Sequence, residues 1–137
     1  MSHLFKKITY TELNAKQQEN YNFQKMSGLL AEYGYHTLRL SADWKGADFI
    51  AQHMIDGSFL KVQLKGRLTF DRKYKNKELW VCFPYGNRSY FYPHDELLNK
   101  FLDLTTLGST DSWKSGGHYS YGKLSKKQEI LLKPYSL

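Results

Sequence analysis

The chain has 137 residues, 41% hydrophobic and 16% aromatic, which suits one domain with a single core and excludes a disordered chain. Its one cysteine, Cys82, excludes a disulfide framework and a thiol cluster for zinc. The formal net charge of +7 points to a polyanionic partner, and with no continuous apolar segment near Met1 the expectation is neither signal peptide nor membrane span, hence a cytoplasmic protein.

Residues 1–10 are short on pattern and basic, and read as a flexible arm. Thr9, followed three residues later by Glu12, has the spacing of a capping box, and the pattern from Thr11 to Tyr33 is helical. Gly34 then stands where a left-handed helix cap belongs. Glu12, Glu19, Phe23, Met26 and Leu30 fall on one stripe of that helix, so Phe23, Met26 and Leu30 are expected in the core. Glu19 carries the stripe toward the helix start. Its carboxylate is expected to look inward, where only a metal ion or another cation offsets the cost of burial; Gln24 and Glu12 are the fallback positions on the same segment.

Tyr35–Leu40 reads as a strand and Ser41–Gly46 as a loop. Two β-like runs, about Ala47–His53 and Phe59–Lys65, flank Asp56-Gly57, a dipeptide suited to the positive φ angles of a tight hairpin. A bulge-free hairpin centred on that turn sets Asp48 across from Lys65 and Ile50 across from Gln63. Strand alternation puts Asp48, Gln63 and Lys65 on one face, and Phe49, Ala51, Leu60, Val62 and Leu64 on the other, apolar one. An acid, an amide and a lysine thus gather at one end of a buried hairpin.

Lys61, Lys65, Arg67, Arg72, Lys73, Lys75 and Lys77 stand against the single acid Asp71, so Gly66–Lys77 reads as a basic segment, either a solvated loop or a cradle for phosphates. Leu79–Pro84 is apolar on both faces and is expected at the centre of the sheet, with Arg88–Tyr92 its hairpin partner. His94–Leu104 reads as a helix capped by Asp95, Thr105–Gly122 as an ordered loop, and Leu124-Ser125-Lys126-Lys127-Gln128 as the start of a last helix ending before Pro134. The order α-β-β-β-β-β-α-α predicts a single α/β layered domain over residues 1–137 with a mixed sheet.

Oxygen ligands for Mg²⁺ together with a lysine that orients a water are what metal-dependent phosphodiester cleavage needs. Asp48 can supply a carboxylate, Gln63 an amide oxygen, Leu64 a backbone carbonyl and Lys65 the cation, with Glu19 a second carboxylate. In this arrangement the chain resembles the PD-(D/E)XK nuclease superfamily: Asp48 matches the first acid, Gln63-Leu64-Lys65 the Glu/Asp-x-Lys element and Glu19 the upstream helix glutamate. The resemblance spans Glu12 to Arg67, and Gln63 departs from the usual acid, a change some members share.

The resemblance implies a restriction-endonuclease-like three-layer domain, a mixed central sheet of about five strands flanked by helices. It implies catalytic Asp48, Gln63, Lys65 and Glu19; Mg²⁺ or Mn²⁺ held by Asp48, Gln63, Leu64 and Glu19; and DNA as partner. Lys61, Arg67, Arg72, Lys73 and Lys75 would bind the phosphate backbone, in a monomer or a homodimer that addresses both strands. Two other readings stay open: a non-catalytic nucleic-acid-binding module, with Gln63 marking lost metal chemistry, and a protein-interaction domain whose basic surface meets an acidic partner.

The remaining residues carry their ordinary readings beside the functional ones. Asp48 and Lys65 have the pattern of a cross-strand ion pair. Tyr74, Tyr85, Tyr90 and Tyr92 suit either base stacking or strand packing. Trp44 and Trp113 are site walls or core anchors, His53, His94 and His118 lack metal-ligand spacing, and Cys82 is core filler.

Overall fold

A computed structural model describes residues 4–137. The arm expected over residues 1–10 lies partly outside the described residues; of the rest, Leu4, Phe5 and Ile8 are exposed. Among the described residues no helix is long and apolar enough to cross a membrane.

The first helix, α1 (Ala15–Ala31), starts later than its pattern suggests. Thr9 and Glu12 close only a short 3₁₀ turn, Tyr10–Glu12, with no side-chain cap. Asn14 and Gln17 form the capping box instead, each side chain accepting from the other's backbone N–H. Phe23, Met26 and Leu30 are buried as expected, and Gly34 follows with φ +89°. A side chain at Gly34 would meet His53 Nε2 at 2.6 Å, so the site needs glycine both for its conformation and for the ring packed on it.

Five strands form the main sheet in the order β1 (Tyr35–Trp44), β2 (Ala47–His53), β3 (Phe59–Leu64), β5 (Leu79–Tyr85), β6 (Arg88–Pro93). β3 and β5 run parallel and the other neighbours antiparallel, giving the mixed five-stranded sheet that was expected. β1 is longer than its sequence pattern: it continues through Trp44 and turns into β2 over Lys45 and Gly46, both at positive φ.

The register of the β2–β3 hairpin corrects the sequence-based pairing. Phe49 faces Val62 and Ile50 faces Lys61, two residues away from a hairpin centred on Asp56-Gly57. The turn is longer than a two-residue one. His53 N–H reaches Ser58 O at 2.7 Å, Gly57 N–H reaches His53 O at 3.0 Å, and Asp56 caps Ser58 through its backbone N–H and its hydroxyl. A slip of two leaves every side chain on its original face, so the faces hold while the opposite partners change.

One face of the sheet is covered by α1, whose Phe23, Met26 and Leu30 pack with Phe49, Ala51, Val62, Cys82 and Phe91. Against the other lie α2 (His94–Leu104), α3 (Lys126–Leu132) and a two-stranded sheet of β4 (Leu68–Asp71) with β7 (His118–Tyr121). β4 corrects the reading of Gly66–Lys77 as a solvated basic loop. Leu68, Thr69 and Phe70 are buried, and Tyr74 packs beside Ala47 and Leu79. β7 and two short helical turns likewise occupy the expected loop Thr105–Gly122, where Trp113 is a buried anchor. Tyr90 and Tyr92 are fully buried, which settles them as packing residues.

The α2 bounds match the expectation, but Asp95 is no N-cap; its carboxylate accepts from Asn76 N–H at 2.8 Å and meets His94 Nδ1 at 2.9 Å. The His94 ring is buried and its Nε2 accepts from Asp71 N–H at 3.1 Å, so it is neutral with its proton on Nδ1. Burial holds the His94 pKa below the ordinary value, against the pull of Asp95. The unfolded chain therefore takes up this proton first as pH falls through about 6.5, and folded-state stability falls with it. Urea midpoints should drop between pH 7.5 and pH 5.5, and a His94→Asn variant, weaker at neutral pH, should lose less over that interval.

Candidate active site

The backbone ladder between β2 and β3 ends at Phe49 and Val62, and just beyond it a side chain takes over the acceptor role. Asp48 Oδ2 accepts the Leu64 N–H at 2.9 Å, which fixes the carboxylate at the mouth of the hairpin. Continuing the register places Gln63 directly opposite Asp48, with Lys65 on the diagonal; the expected Asp48–Lys65 facing pair is thus corrected. Lys65 lies one residue past β3, yet its backbone N–H still bonds to Cys82 O at 2.9 Å, so the side chain projects from a fixed strand end.

Asp48, Gln63, Leu64, Lys65 and Glu19 line one open depression of about 390 Å³ between the hairpin mouth and the start of α1. On its other side the same Asp48, Gln63 and Lys65 line a second depression with Asp43, Lys73, Tyr74 and Lys77. The three residues singled out in the hairpin therefore share a site reached from two directions. Lys65 and Lys73 each hold an ammonium over the Tyr74 ring, at 5.6 and 5.3 Å.

The Asp48 carboxyl is raised above the ordinary value, first by burial, then by the negative charges of Glu19 and Asp43; the Leu64 N–H and the Lys65 ammonium act against this. A partly desolvated carboxylate held near two others is an environment that a further cation would relieve. Among the described residues no three His, Cys, Asp or Glu side chains are grouped to hold a metal ion by themselves. The groups there that could hold one are mixed oxygens, the Asp48 carboxylate, the Gln63 amide and the Leu64 carbonyl, all from residues that line the depression. Such a set fits a hard divalent cation that keeps several waters and takes one or two carboxylates.

Glu19 lines the depression but is half exposed, and it has a partner the sequence did not reveal. Arg39 Nη2 donates to Glu19 Oε1 at 2.7 Å, its Nη1 bonds Asn20, and its guanidinium lies 5.0 Å from the Phe23 ring centroid. The cation that offsets Glu19 here is Arg39, with Lys16 at 3.7 Å as a second, looser one. The fallback positions do not replace it: Gln24 is exposed and Glu12 lies in the turn ahead of α1. Arg39 and Asp43 are the residues that sequence reasoning missed; both lie on β1, whose pairing with β2 sets Arg39 opposite Phe49, within reach of Glu19, and leaves Asp43 close enough to raise the Asp48 carboxyl.

The basic residues separate into groups. Lys73 lines the site, with Asp71 Oδ2 at 3.8 Å from its ammonium, while Arg67 and Lys75 are exposed nearby in sequence. Lys61 is directed elsewhere, over the Trp44 ring at 5.7 Å. Arg72 is committed to the fold: its Nη2 donates to Trp113 O at 2.8 Å and its guanidinium stacks 5.0 Å from the Trp113 ring centroid. Its stem also packs where a side chain at Gly117 would collide with it. Cys82 is fully buried, and burial pushes its thiol pKa up, in keeping with a filler role.

No protein-family model matches the chain, and no curated protein matches it. Solved structures similar to it include two nucleases. One is a Holliday junction resolvase from the archaeal hyperthermophile Archaeoglobus fulgidus, with a TM-score of 0.46 and 12% identity over 57% of this chain and 74% of that one. The other is a bacterial homing endonuclease, with a TM-score of 0.48 and 16% identity over 84% of this chain and 80% of that one.

Proposed function

We propose that this chain is a divalent-metal-dependent nuclease that hydrolyses phosphodiester bonds in DNA. The observation that carries the reading is the meeting of Asp48, Gln63 and Lys65 in one open depression, with Glu19 on its wall. Asp48, Gln63 and the Leu64 carbonyl would hold Mg²⁺ or Mn²⁺, and Glu19 would join them by exchanging its bond to Arg39. When bound, such an ion supplies Lewis-acid polarisation of the phosphate and a more acidic water.

The protein's own contribution is positional. The Leu64 N–H keeps the Asp48 carboxylate aimed at the hairpin mouth. Lys65, anchored through its backbone to Cys82, orients the attacking water and offsets charge developing on the phosphate. Arg67, Lys73 and Lys75 hold the DNA backbone without reading its sequence, so affinity should fall steeply with salt.

The test is nicking of supercoiled plasmid with Mg²⁺ or Mn²⁺ and its loss on adding EDTA. A second reading, a non-catalytic DNA-binding module, draws on two observations: Gln63 stands where an acid would add charge, and Glu19 is already paired with Arg39. Calorimetric titration of Mn²⁺ into the free chain separates the two. Heat of binding at millimolar metal supports the nuclease; salt-sensitive DNA binding with neither metal binding nor cleavage supports the module. Gln63→Glu should tighten Mn²⁺ binding by about tenfold, since the number of charged ligands tunes cation affinity. Unchanged affinity would remove Gln63 from the ligand set.

A further inference from the structure

A second cluster lies further along β3, where an open groove of about 890 Å³ is floored by aromatic rings. Trp44, at the end of β1, and Phe59, at the start of β3, stack with centroids 6.4 Å apart and planes 30° from parallel. Neither is core: Trp44 is 43% and Phe59 52% exposed. Two ammoniums, Lys45 and Lys61, each sit 5.7 Å from the Trp44 ring centroid. Two carboxylates also line the groove; Asp56 is bonded to Ser58, and Glu78 precedes β5.

Large exposed rings cost free energy in water, and cations poised on them match a ligand that has both a flat π-face and negative charge. An unpaired nucleotide has both, and protein rings bind it by stacking while lysines meet its phosphates. The lysine stems are long and rotatable, so a base can take a ring face as the ammoniums move to the flanking phosphates. The strand also gives direction. Phe59, Lys61 and Gln63 share one face of β3 by alternation, so the rings and the site stand roughly 13 Å apart on one track.

We propose that Trp44 and Phe59, with Lys45 and Lys61, form a stacking platform for the unpaired bases of a single-stranded DNA segment whose strand continues into the Asp48–Lys65 site. The proposal rests on the reading of the chain as DNA-binding but not on its being catalytic.

The test is fluorescence anisotropy of the full chain, in EDTA so that nothing is cut, with three labelled probes: a blunt duplex, the same duplex with a thymidine overhang, and that duplex with a uridine RNA overhang. The wild type should bind the DNA-overhang probe at least several-fold more tightly than the blunt one. Trp44→Ala should weaken overhang binding by roughly 5- to 100-fold and change blunt-duplex binding less than about twofold; Trp44→Phe should keep most of the affinity, and Phe59→Ala should repeat the loss. Circular dichroism melts confirm that each variant folds.

Equal binding of blunt and overhang probes, or a Trp44→Ala loss shared equally by both, overturns the platform. Tighter binding of the RNA overhang overturns the assignment to DNA. Self-association in sedimentation that Phe59→Ala abolishes would make the patch a dimer contact and overturn the proposal too. A failed nicking assay with an intact overhang preference removes only the nuclease reading, and the converse result removes only the platform.

Discussion

Lys65→Ala is expected to lower the rate of the proposed metal-dependent DNA cleavage by about 10²- to 10³-fold, the scale of removing one preorganised charge donor from a developing oxyanion. The fold should survive. Lys65 is only partly buried, its ammonium lies over the Tyr74 ring, and its backbone bond to Cys82 does not depend on the side chain. Away from buried or strained features a substitution usually shifts stability by no more than about 0.5 kcal/mol. Initial nicking rates under saturating Mg²⁺, beside urea midpoints for the same preparations, separate the two effects. Lys65→Arg should recover little, because a planar fork does not reproduce the point charge of an ammonium. A folded Lys65→Ala protein that cuts at the wild-type rate would remove Lys65 from the chemistry.

Phe70→Ala should cost about 3–5 kcal/mol, the range for emptying a fully buried aromatic site. Phe70 is completely buried, and its ring lies 5.0 Å from Phe101, 6.0 Å from both Tyr92 and His94, and 6.2 Å from Tyr121. It therefore joins β4 to β6, α2 and β7 at once. Against a typical total of about 5–15 kcal/mol, the loss leaves a marginal protein, and urea unfolding monitored by circular dichroism should show a large drop in midpoint. An unchanged midpoint would mean that the small sheet is not part of the cooperative core.

Phe70 also shows why part of the fold was hidden. Leu68-Thr69-Phe70-Asp71 is too short for a convincing alternation, it sits among lysines and arginines, and its partner β7 lies some fifty residues further on. Charge density masked a strand. The start of α1 was obscured differently, because Thr9 and Glu12 have the spacing of a capping box but Asn14 and Gln17 make the bonds. By contrast α2 over His94–Leu104 and the Ser125–Gln128 cap of α3 were plain, since an apolar stripe and a capping box are both local in sequence.

The candidate site divides along the same line. That Asp48, Gln63 and Lys65 share a face follows from alternation alone and survives the two-residue slip of the hairpin, because an even shift preserves faces. Which of them stands opposite Asp48 was decided by the turn, where Gly57 at positive φ and the Asp56–Ser58 bonds lengthen the connection. The Arg39–Glu19 pair, the nearness of Asp43 to Asp48 and the stacking of Trp44 on Phe59 join residues from different elements. The sequence by itself determined what a residue's near neighbours impose: helix stripes, caps and the faces of strands. Only the tertiary structure decided register, countercharges and the aromatic platform, because those depend on distances between segments that no local pattern encodes.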